Sequence, residues 1–204
     1  MKKDGDATIM SAAPAGVRTR NAAVTRRAIL VAARRQFALE SYDNVGLREI
    51  TRDAGVDPAL ISRYFGGKED LFREVLKDDN SGTLFDGVAA DDLVARLVSL
   101  ILDTDSQPES ADVHLDRLLI VLRSATSPKA SAIVYEAIDE IILSPIASRL
   151  GTPDARIRAI LALTVLMGSG IVHNVMCANS IPSMRGASLR SRLTTLFETA
   201  LYAA

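Results

Sequence analysis

The 204-residue chain has the composition of a folded protein, with 48% hydrophobic and 24% charged residues and a net charge of −1. These values exclude an intrinsically disordered chain and a uniformly basic nucleic-acid binder. Its one cysteine, Cys177, excludes an internal disulfide and a cysteine-based zinc cluster, and Lys2 and Lys3 are not followed by the apolar run of a secretory signal. We therefore expect a cytoplasmic protein.

The first two predicted elements are an irregular arm and an amphipathic helix. Residues 1–20 mix Gly, Ala, Pro, Ser and Thr with scattered charge and no periodicity, which predicts a flexible arm. Thr25 then caps a helix that ends near Glu40, because apolar residues recur every four positions from Ile29 to Phe37. This helix provides a surface on which the following elements can pack.

The stretch Arg48 to Lys68, REITRDAGVDPALISRYFGGK, predicts two short helices joined at a sharp turn. Gly55 stands where the first helix needs a left-handed exit residue, a conformation that glycine adopts without a Cβ penalty. Asp57 is an N-cap residue type, and Pro58 suits the first position of a second helix. Two helices joined by a short turn containing glycine form the helix-turn-helix pattern, whose second helix can enter the major groove of DNA.

The second helix of this motif has one face to bury and one to expose. Ile61 and Phe65 lie four residues apart and share the apolar face. The side chains left for the outside or the edges are Ala59, Leu60, Ser62, Arg63 and Tyr64. Gly66 and Gly67 end the helix, and Lys68 begins the next one.

Positive charge is concentrated around this motif. Residues 18–65 contain nine Arg or Lys and five Asp or Glu, a net of +4, so the rest of the chain carries −5. A basic module on an acidic body is expected when one end of a protein touches phosphate, although segregation of this size also arises by chance. Arg18 and Arg20 of the arm can then reach a neighbouring minor groove; the alternative is an arm that is simply disordered.

The rest of the chain reads as helices separated by prolines and glycines. The predicted helices run from Lys68 to Asp78, Asp91 to Thr104, Ser110 to Ala125, Ser127 to Leu143, from Thr152 onward, and from Ala187 to Ala203. Pro145 either kinks the fourth of these or, with Ser144 as a cap, begins a short helix that ends at Gly151. No run alternates with period two, so the sequence predicts an all-α protein.

The segment Ala159 to Ala178, AILALTVLMGSGIVHNVMCA, is apolar almost all round. Its length suits a membrane helix, but polar residues such as His173 lie inside it, and we favour a helix buried on two sides. With the leucine-rich helix Ala187 to Ala203 it predicts a four-helix dimer interface made by two chains. The predicted interface residues are Leu161, Val165, Gly168, Val172, Leu189, Leu193 and Leu196.

The stretch Thr25 to Phe72, TRRAILVAARRQFALESYDNVGLREITRDAGVDPALISRYFGGKEDLF, resembles the N-terminal domain of the TetR family of transcriptional regulators. The resemblance implies about nine helices in an all-α fold. It implies a flexible arm at 1–20, a helix-turn-helix DNA-binding domain at 21–67 and a ligand-binding and dimerisation domain at 68–204. It further implies a homodimeric repressor of a palindromic operator on double-stranded DNA rather than an enzyme.

Carried over by position, the resemblance assigns DNA contacts to one group of residues: Arg48, Pro58, Ala59, Leu60, Ser62, Arg63, Tyr64 and Lys68. Among them Arg63 is the candidate for a guanine and Lys68 for a phosphate at a helix N-terminus. Ser62 departs from the family pattern because a tyrosine usually reaches phosphate there, and Gly46 departs because a serine or threonine usually caps the helix. Phosphate binding is then expected to depend more on Arg48, Lys68 and the arm.

The C-terminal helices are expected to enclose a ligand pocket. Their surplus of Leu, Ile, Val and Met, with few aromatic residues, predicts an apolar cavity for a small apolar or amphipathic effector of unknown identity. The candidate lining residues are Leu119, Arg123, Ile138, Met167, Ile171 and His173, each of which has an ordinary core or surface role as its alternative. A bound effector would favour a dimer whose two recognition helices no longer match successive major grooves, about 34 Å apart.

No motif in the sequence indicates catalysis, a metal site or a cofactor. There is no phosphate-binding loop, no dinucleotide-binding glycine pattern and no HExxH, and neither His114 nor His173 has a second ligand at metal spacing. Two other functions stay open from the residues alone: a helical adaptor that does not bind DNA, and an all-α enzyme with an unfamiliar site.

Overall fold

The computed structural model describes residues 15–81, 84–102, 108–176 and 187–203. The α-helices in chain order are α1 (Ala15–Leu39), α2 (Leu47–Ala54), α3 (Ala59–Phe65), α4 (Lys68–Ser81), α5 (Leu93–Leu102), α6 (Pro108–Ser124), α7 (Ser131–Ile138), α8 (Ser144–Leu150), α9 (Ala155–Gly170) and α10 (Ala187–Tyr202). A π-helical turn, Asp139–Leu143, joins α7 and α8 into one rod. The described residues therefore form nine helical rods and no strand, which confirms the predicted fold class.

The first helix begins earlier than the sequence indicated. α1 starts at Ala15 rather than at Thr25, so residues 15–20 of the predicted arm are helical. These residues lack an apolar stripe, the feature on which the prediction depended, but Ala15, Arg18 and Arg20 are good helix formers. Residues 1–14 of the arm and the side chains of Arg18 and Arg20 lie outside the described part of the chain.

Three aromatic side chains form the centre of the small N-terminal domain. The ring centroids of Phe37 and Phe72 are 4.8 Å apart and those of Tyr42 and Phe72 are 4.9 Å apart, both edge to face. All three side chains are buried, as are Ile50 of α2 and Ile61 of α3. One apolar residue row on each short helix thus fixes α2 and α3 against α1 and α4.

The π-helical turn explains how the chain passes Pro145. The N–H of Ser144 donates to the carbonyl of Asp139, five residues back, and Pro145 follows in the first turn of α8, a position at which proline is tolerated. Gly151 ends α8 with a φ of 63°. Neither predicted alternative is observed as stated: the rod ends at Gly151 as predicted, but it continues through the π-helical turn, and Ser144 lies inside it rather than capping a new turn.

The loop between α4 and α5, residues 84–92, is held by side chains from three other places in the chain. Arg96 Nε donates to the carbonyl of Leu84 at 2.7 Å, and Arg149 Nε donates to that of Val88 at 3.0 Å. The hydroxyl of Tyr202, at the end of α10, donates to a third carbonyl of the loop. These bonds satisfy backbone groups that would otherwise lack partners, and they fix the loop on the helical body.

α9 continues through a π-helical segment, Ile171–Met176, and packs against α5, α8 and α10. Its buried residues are small: Ala155, Ala159, Ala162 and Gly170. From Ala155 to His173 this is the one helix among the described residues that is long and apolar enough to cross a membrane by length and composition. Its inward face is nevertheless a packed part of the helical body.

Candidate nucleic-acid interface and internal cavity

The turn between α2 and α3 has the geometry that its sequence predicted. Gly55 adopts a left-handed conformation with a φ of 66°, and the next N–H, that of Val56, donates to the carbonyl of Thr51 at 3.0 Å. Asp57 Oδ1 accepts the N–H of Ala59 at 2.8 Å and so satisfies one of the free donors at the start of α3. The roles predicted for Gly55 and Asp57 are confirmed.

α3 buries one side and presents the other to solvent. Ile61 and Phe65 are 0% and 7% exposed, whereas Ala59, Ser62 and Arg63, at positions that share a helix face, are all exposed. Of the residues predicted to contact DNA, five are exposed: Arg48, Pro58, Ala59, Ser62 and Arg63. The other three are half-buried: Leu60, Tyr64 and Lys68. The predicted reading residues therefore lie on the outside and the edges of α3.

The arginines near the motif differ in how freely their charge is available. Among the described residues, neither Arg48 nor Arg63 has a side-chain hydrogen bond or an ion pair. Arg26 instead forms an ion pair with Glu74 of α4 at 2.6 Å, and its guanidinium lies 4.9 Å from the centroid of the Phe65 ring. Arg26 thus links α1 to α3 and α4. From the sequence it could be counted only as one of the basic residues near the motif.

Lys68, the first residue of α4, lies against the aromatic cluster. Its Nζ is 4.4 Å from the centroid of the Tyr42 ring, a cation–π contact. Burial lowers the pKa of the Lys68 ammonium, and the nearby Asp43 carboxylate offsets part of that effect. Lys68 therefore has a structural contact within the domain in addition to the phosphate contact predicted for it.

The N-terminus of α2 is capped by a residue inside the helix rather than by Gly46. The N–H of Gly46 donates to Glu49 Oε2 at 3.1 Å, which is the reciprocal half of a capping box. Gly46 has ordinary extended backbone angles there. The helix start is thus stabilised without the hydroxyl that is missing at Gly46, but a carboxylate occupies the place where an anion would otherwise meet the helix N-terminus.

The larger domain encloses a partly open apolar cavity of about 120 Å³. It lies between α4, α5, α6, the α7–α8 rod, α9 and the loop at Leu84. The lining residues are Leu76, Leu84, Leu100, Ile101, Arg117, Leu118, Val121, Ala137, Ile138, Ile141, Ile142, Leu166, Met167 and Gly170. The sequence predicted an apolar cavity in these helices. Its position and most of its lining residues, however, are determined by how the helices pack.

The cavity includes two of the predicted pocket residues, Ile138 and Met167, and leaves out the other four. Arg123 points away from it, because its guanidinium donates to the carbonyl of Leu39 at 2.8 Å. Leu119 packs against the core on another side of α6, and Ile171 lies beyond the cavity on the π-helical segment.

His173 is also absent from the cavity wall; its Nδ1 is buried and has no hydrogen-bond partner among the described residues. Prediction missed Arg117, the charged residue of the wall. The sequence feature that could have identified Arg117 is its spacing, one residue before Leu118 and four before Val121, which places all three on one side of α6.

Ion pairs connect α4 with the α7–α8 rod, and both of these elements contribute to the cavity wall. Lys77 Nζ of α4 lies 2.6 Å from Glu140 Oε2, and Arg73 Nη2 lies 3.7 Å from Glu136 Oε2. Leu76, between the two basic residues in sequence, lines the cavity. A change in the spacing of α4 and the α7–α8 rod would therefore affect the cavity and the helix that follows the motif together.

The outer face of α9 and α10 exposes large apolar side chains. Of the predicted interface residues, Leu161, Val172 and Leu196 are 50%, 39% and 51% exposed. Gly168 is exposed, and Val165 and Leu189 are half-buried. The prediction was wrong for Leu193, which is 4% exposed because it faces the protomer's own core. Ile157 and Ile160, at 63% and 46%, extend the exposed face and were not predicted.

The sequence matches two family models. Residues 29–75 match bacterial regulatory proteins of the tetR family, and residues 91–201 match a tetracyclin repressor-like C-terminal domain. An uncharacterised HTH-type transcriptional regulator from Haemophilus influenzae is 31% identical over 119 residues, which span 55% of this chain and 57% of that protein. The chain thus matches little more than half the length of this relative.

Solved structures show the same fold. NalD, the secondary repressor of the MexAB-OprM multidrug efflux pump in Pseudomonas aeruginosa, superposes with a TM-score of 0.62 at 16% identity, covering 88% of this chain and 95% of NalD. The transcriptional regulator FadR from Bacillus subtilis, in complex with stearoyl-CoA, gives a TM-score of 0.59 at 16% identity, covering 87% and 98%. At these identities the likeness concerns the fold alone.

Proposed function

The chain belongs to the TetR family of bacterial regulatory proteins, and from this membership we propose that it is a repressor that binds a palindromic operator under the control of a small effector. Regulation of transcription through a helix-turn-helix DNA-binding domain is what the family match establishes, and regulators of this family bind DNA and catalyse no reaction. The enzyme alternative is thereby set aside. Repression, effector control and action in the cytoplasm are the proposed parts.

The observation that carries the proposal is the exposed face of α3. Ala59, Ser62 and Arg63 share it, and Arg63 has no partner among the described residues that would hold it away from a ligand. A guanidinium at such a place can bind O6 and N7 of a guanine in the major groove, while Ala59 can contact a thymine methyl. Arg48, exposed at the start of α2, is proposed to bind the DNA backbone.

A twofold dimer is proposed because one motif reads only half of an operator. The exposed apolar residues of α9 and α10 supply a surface that a second copy can cover, and the two helices already pack against each other within the protomer. Two such pairs would form a four-helix interface. A second copy would also bury the side chains of Ile157 and Leu161, which are exposed to water in the single protomer.

Effector control is proposed from the cavity and its position. The cavity is lined in part by α4, the helix that directly follows the motif, so ligand entry can alter how the two recognition helices of a dimer are spaced. FadR from Bacillus subtilis, which has the same fold, was solved in complex with stearoyl-CoA, so a protein of this fold can bind a ligand with an aliphatic chain. The effector is proposed to bind the two states of the dimer with different affinity, as any such control requires.

The proposal is tested by selecting bound sequences from a randomised duplex library and measuring fluorescence anisotropy with the selected duplex and a shuffled one. We expect tighter binding of the selected duplex at every salt concentration, and loss of that preference in Arg63→Ala. Arg35→Ala is the matched control, because Arg35 is an exposed arginine of the same domain that lies outside the motif. Equal binding of the two duplexes throughout the salt range would defeat the proposed function.

A further inference from the structure

The cavity wall has an unusually uniform chemistry. Apart from Arg117 and Gly170, its side chains are the aliphatic or thioether groups of Leu, Ile, Val, Ala and Met. Among the residues that the structure describes, the wall includes no aromatic ring, no carboxylate and no hydroxyl or amide side chain. What can bind there is limited by what these groups can satisfy.

This wall excludes several classes of ligand. A cation would be buried without an opposite charge, and a sugar or nucleotide would bury several polar groups without partners, each at a cost in free energy. Planar aromatic compounds of suitable size can enter, but they would gain no stacking contact with a ring. A flexible aliphatic chain has no such requirements, and it gains from the apolar area that it removes from water.

Arg117 is the polar group that distinguishes one aliphatic ligand from another. It lies on α6 in a half-buried position and contributes to the wall next to Leu118. Arg117 already takes part in an interaction within the protein. Its guanidinium has five N–H donors and a planar shape that matches a carboxylate, so a ligand carboxylate can share this group with, or displace, the interaction that Arg117 makes within the protein.

The size of the cavity limits the ligand further. Its volume of about 120 Å³ is close to the roughly 150 Å³ of an apolar cavity that accommodates benzene, which corresponds to an enclosed tail of about six carbons. A somewhat longer tail can continue through the open side. We propose, building on the effector control proposed above, that the effector is a monocarboxylate with an aliphatic tail, its tail between Ile138, Ile141 and Met167 and its carboxylate on Arg117.

The test compares ligands that share one tail and differ in head group. Octanoate, 1-octanol, octylamine and octanoyl-CoA are titrated into the 204-residue protein at neutral pH, and binding is measured by isothermal titration calorimetry. Octanoate is expected to bind most tightly, 1-octanol more weakly, and octylamine and the nucleotide-bearing ester weakest. Tighter binding of octylamine or octanoyl-CoA than of octanoate would overturn the assignment, as would no binding of any of the four.

Variants assign the contacts. Arg117→Met is expected to lower the affinity for octanoate by about tenfold or more and to change the affinity for 1-octanol by no more than about twofold, because only the head-group bond is lost. Ile138→Trp fills the cavity and is expected to abolish binding of both, and thermal unfolding followed by circular dichroism verifies that each variant is folded. The role of Arg117 would be refuted if Arg117→Met lowered the affinities for octanoate and 1-octanol equally, or lowered neither.

A parallel measurement separates this inference from the proposed function. The same ligands are added to the complex with the selected duplex, followed by anisotropy. Octanoate that binds through Arg117 but does not change DNA affinity would leave the ligand assignment intact and defeat effector control. An effect on DNA affinity by 1-octanol or octylamine alone would retain effector control and overturn the ligand class.

Discussion

The backbone N–H of Tyr42 donates a hydrogen bond to the hydroxyl of Ser124, 3.2 Å away in space and 82 residues away in sequence. Tyr42 belongs to the loop between α1 and α2, and Ser124 is the last residue of α6, the helix that carries Arg117 into the cavity wall. Beside this bond, Arg123 donates to the carbonyl of Leu39. The end of α6 is thus bonded to the DNA-binding domain through two neighbouring residues.

We expect Ser124→Ala to lower the free energy of unfolding by about 1 to 3 kcal/mol, because it leaves the buried N–H of Tyr42 without an acceptor. Urea denaturation followed by circular dichroism measures this. Ser148→Ala is the matched control: the Ser148 hydroxyl is exposed and bonds only the carbonyl of Pro145, so its loss should cost less than about 0.5 kcal/mol. Equal values for the two variants would contradict the importance of the buried bond.

Arg63→Ala and Lys68→Ala should weaken DNA binding in different ways. Arg63→Ala should cost about 1 to 3 kcal/mol on the selected duplex and relax the preference at one base position. Lys68→Ala should weaken all duplexes similarly and lower the slope of log affinity against log salt by about one. It should also reduce the free energy of unfolding by about 0.5 to 1 kcal/mol through the lost contact with Tyr42. Identical binding profiles for the two variants would contradict this division.

Glu49→Gln should strengthen DNA binding. The Glu49 carboxylate bonds the N–H of Gly46 at the N-terminus of α2. An amide retains that bond and removes a negative charge from the surface proposed to face phosphate. A gain of about 1 kcal/mol is expected at low salt, and it should shrink as salt is added. Glu198→Gln, at an exposed glutamate of α10, is the control and should change nothing; an equal gain there would indicate a general charge effect.

Leu161→Glu should dissociate the proposed dimer. A carboxylate at this exposed position of α9 would meet its symmetry mate in an apolar interface, and dimer affinity should fall by about 100-fold or more. Sedimentation velocity over a concentration series measures the change. Val31→Glu is the control, because Val31 is 57% exposed on α1, away from α9 and α10. Equal dissociation by both substitutions, or by neither, would argue against this interface.

Gly55→Ala should destabilise the protein by about 1 to 2 kcal/mol through its backbone alone. A Cβ at Gly55 meets no atom within 4 Å, but the φ of 66° is unfavourable for alanine. Gly55→Asn should cost less, because asparagine tolerates left-handed angles better. Thermal unfolding of both variants gives the comparison, and an alanine variant as stable as the asparagine variant would contradict the conformational explanation.

Prediction from sequence succeeded where neighbouring residues determine the structure. The left-handed Gly55, the capping Asp57 and the burial of Ile61 and Phe65 follow from the chemistry of a few consecutive positions. A disturbance of the helix at Pro145 was also predicted, since a missing N–H acts locally. The π-helical turn that keeps the rod continuous there was not predicted. Periodicity likewise placed most helices correctly, but it placed the start of α1 too late because no apolar stripe marks the first turns.

Prediction was weaker where a side chain's role depends on a distant partner. Arg123 and Arg117 are six residues apart on α6, yet one bonds Leu39 in the other domain and the other lines the cavity. Their roles follow from how α6 is rotated against its neighbours, which sequence spacing alone does not determine. Leu193 shows the same limit: the leucine repeat of α10 does not indicate which leucines face α5 and α9 and which face outward.

The bonds that hold the loop between α4 and α5 also restrain one side of the cavity wall. Leu84 forms part of the cavity wall, and its carbonyl is bonded by Arg96. Arg149 and Tyr202 hold the same loop further along. Because this side is fixed by several bonds from the helical body, the residence time of a bound molecule should be set by motion of α6 and the other helical walls.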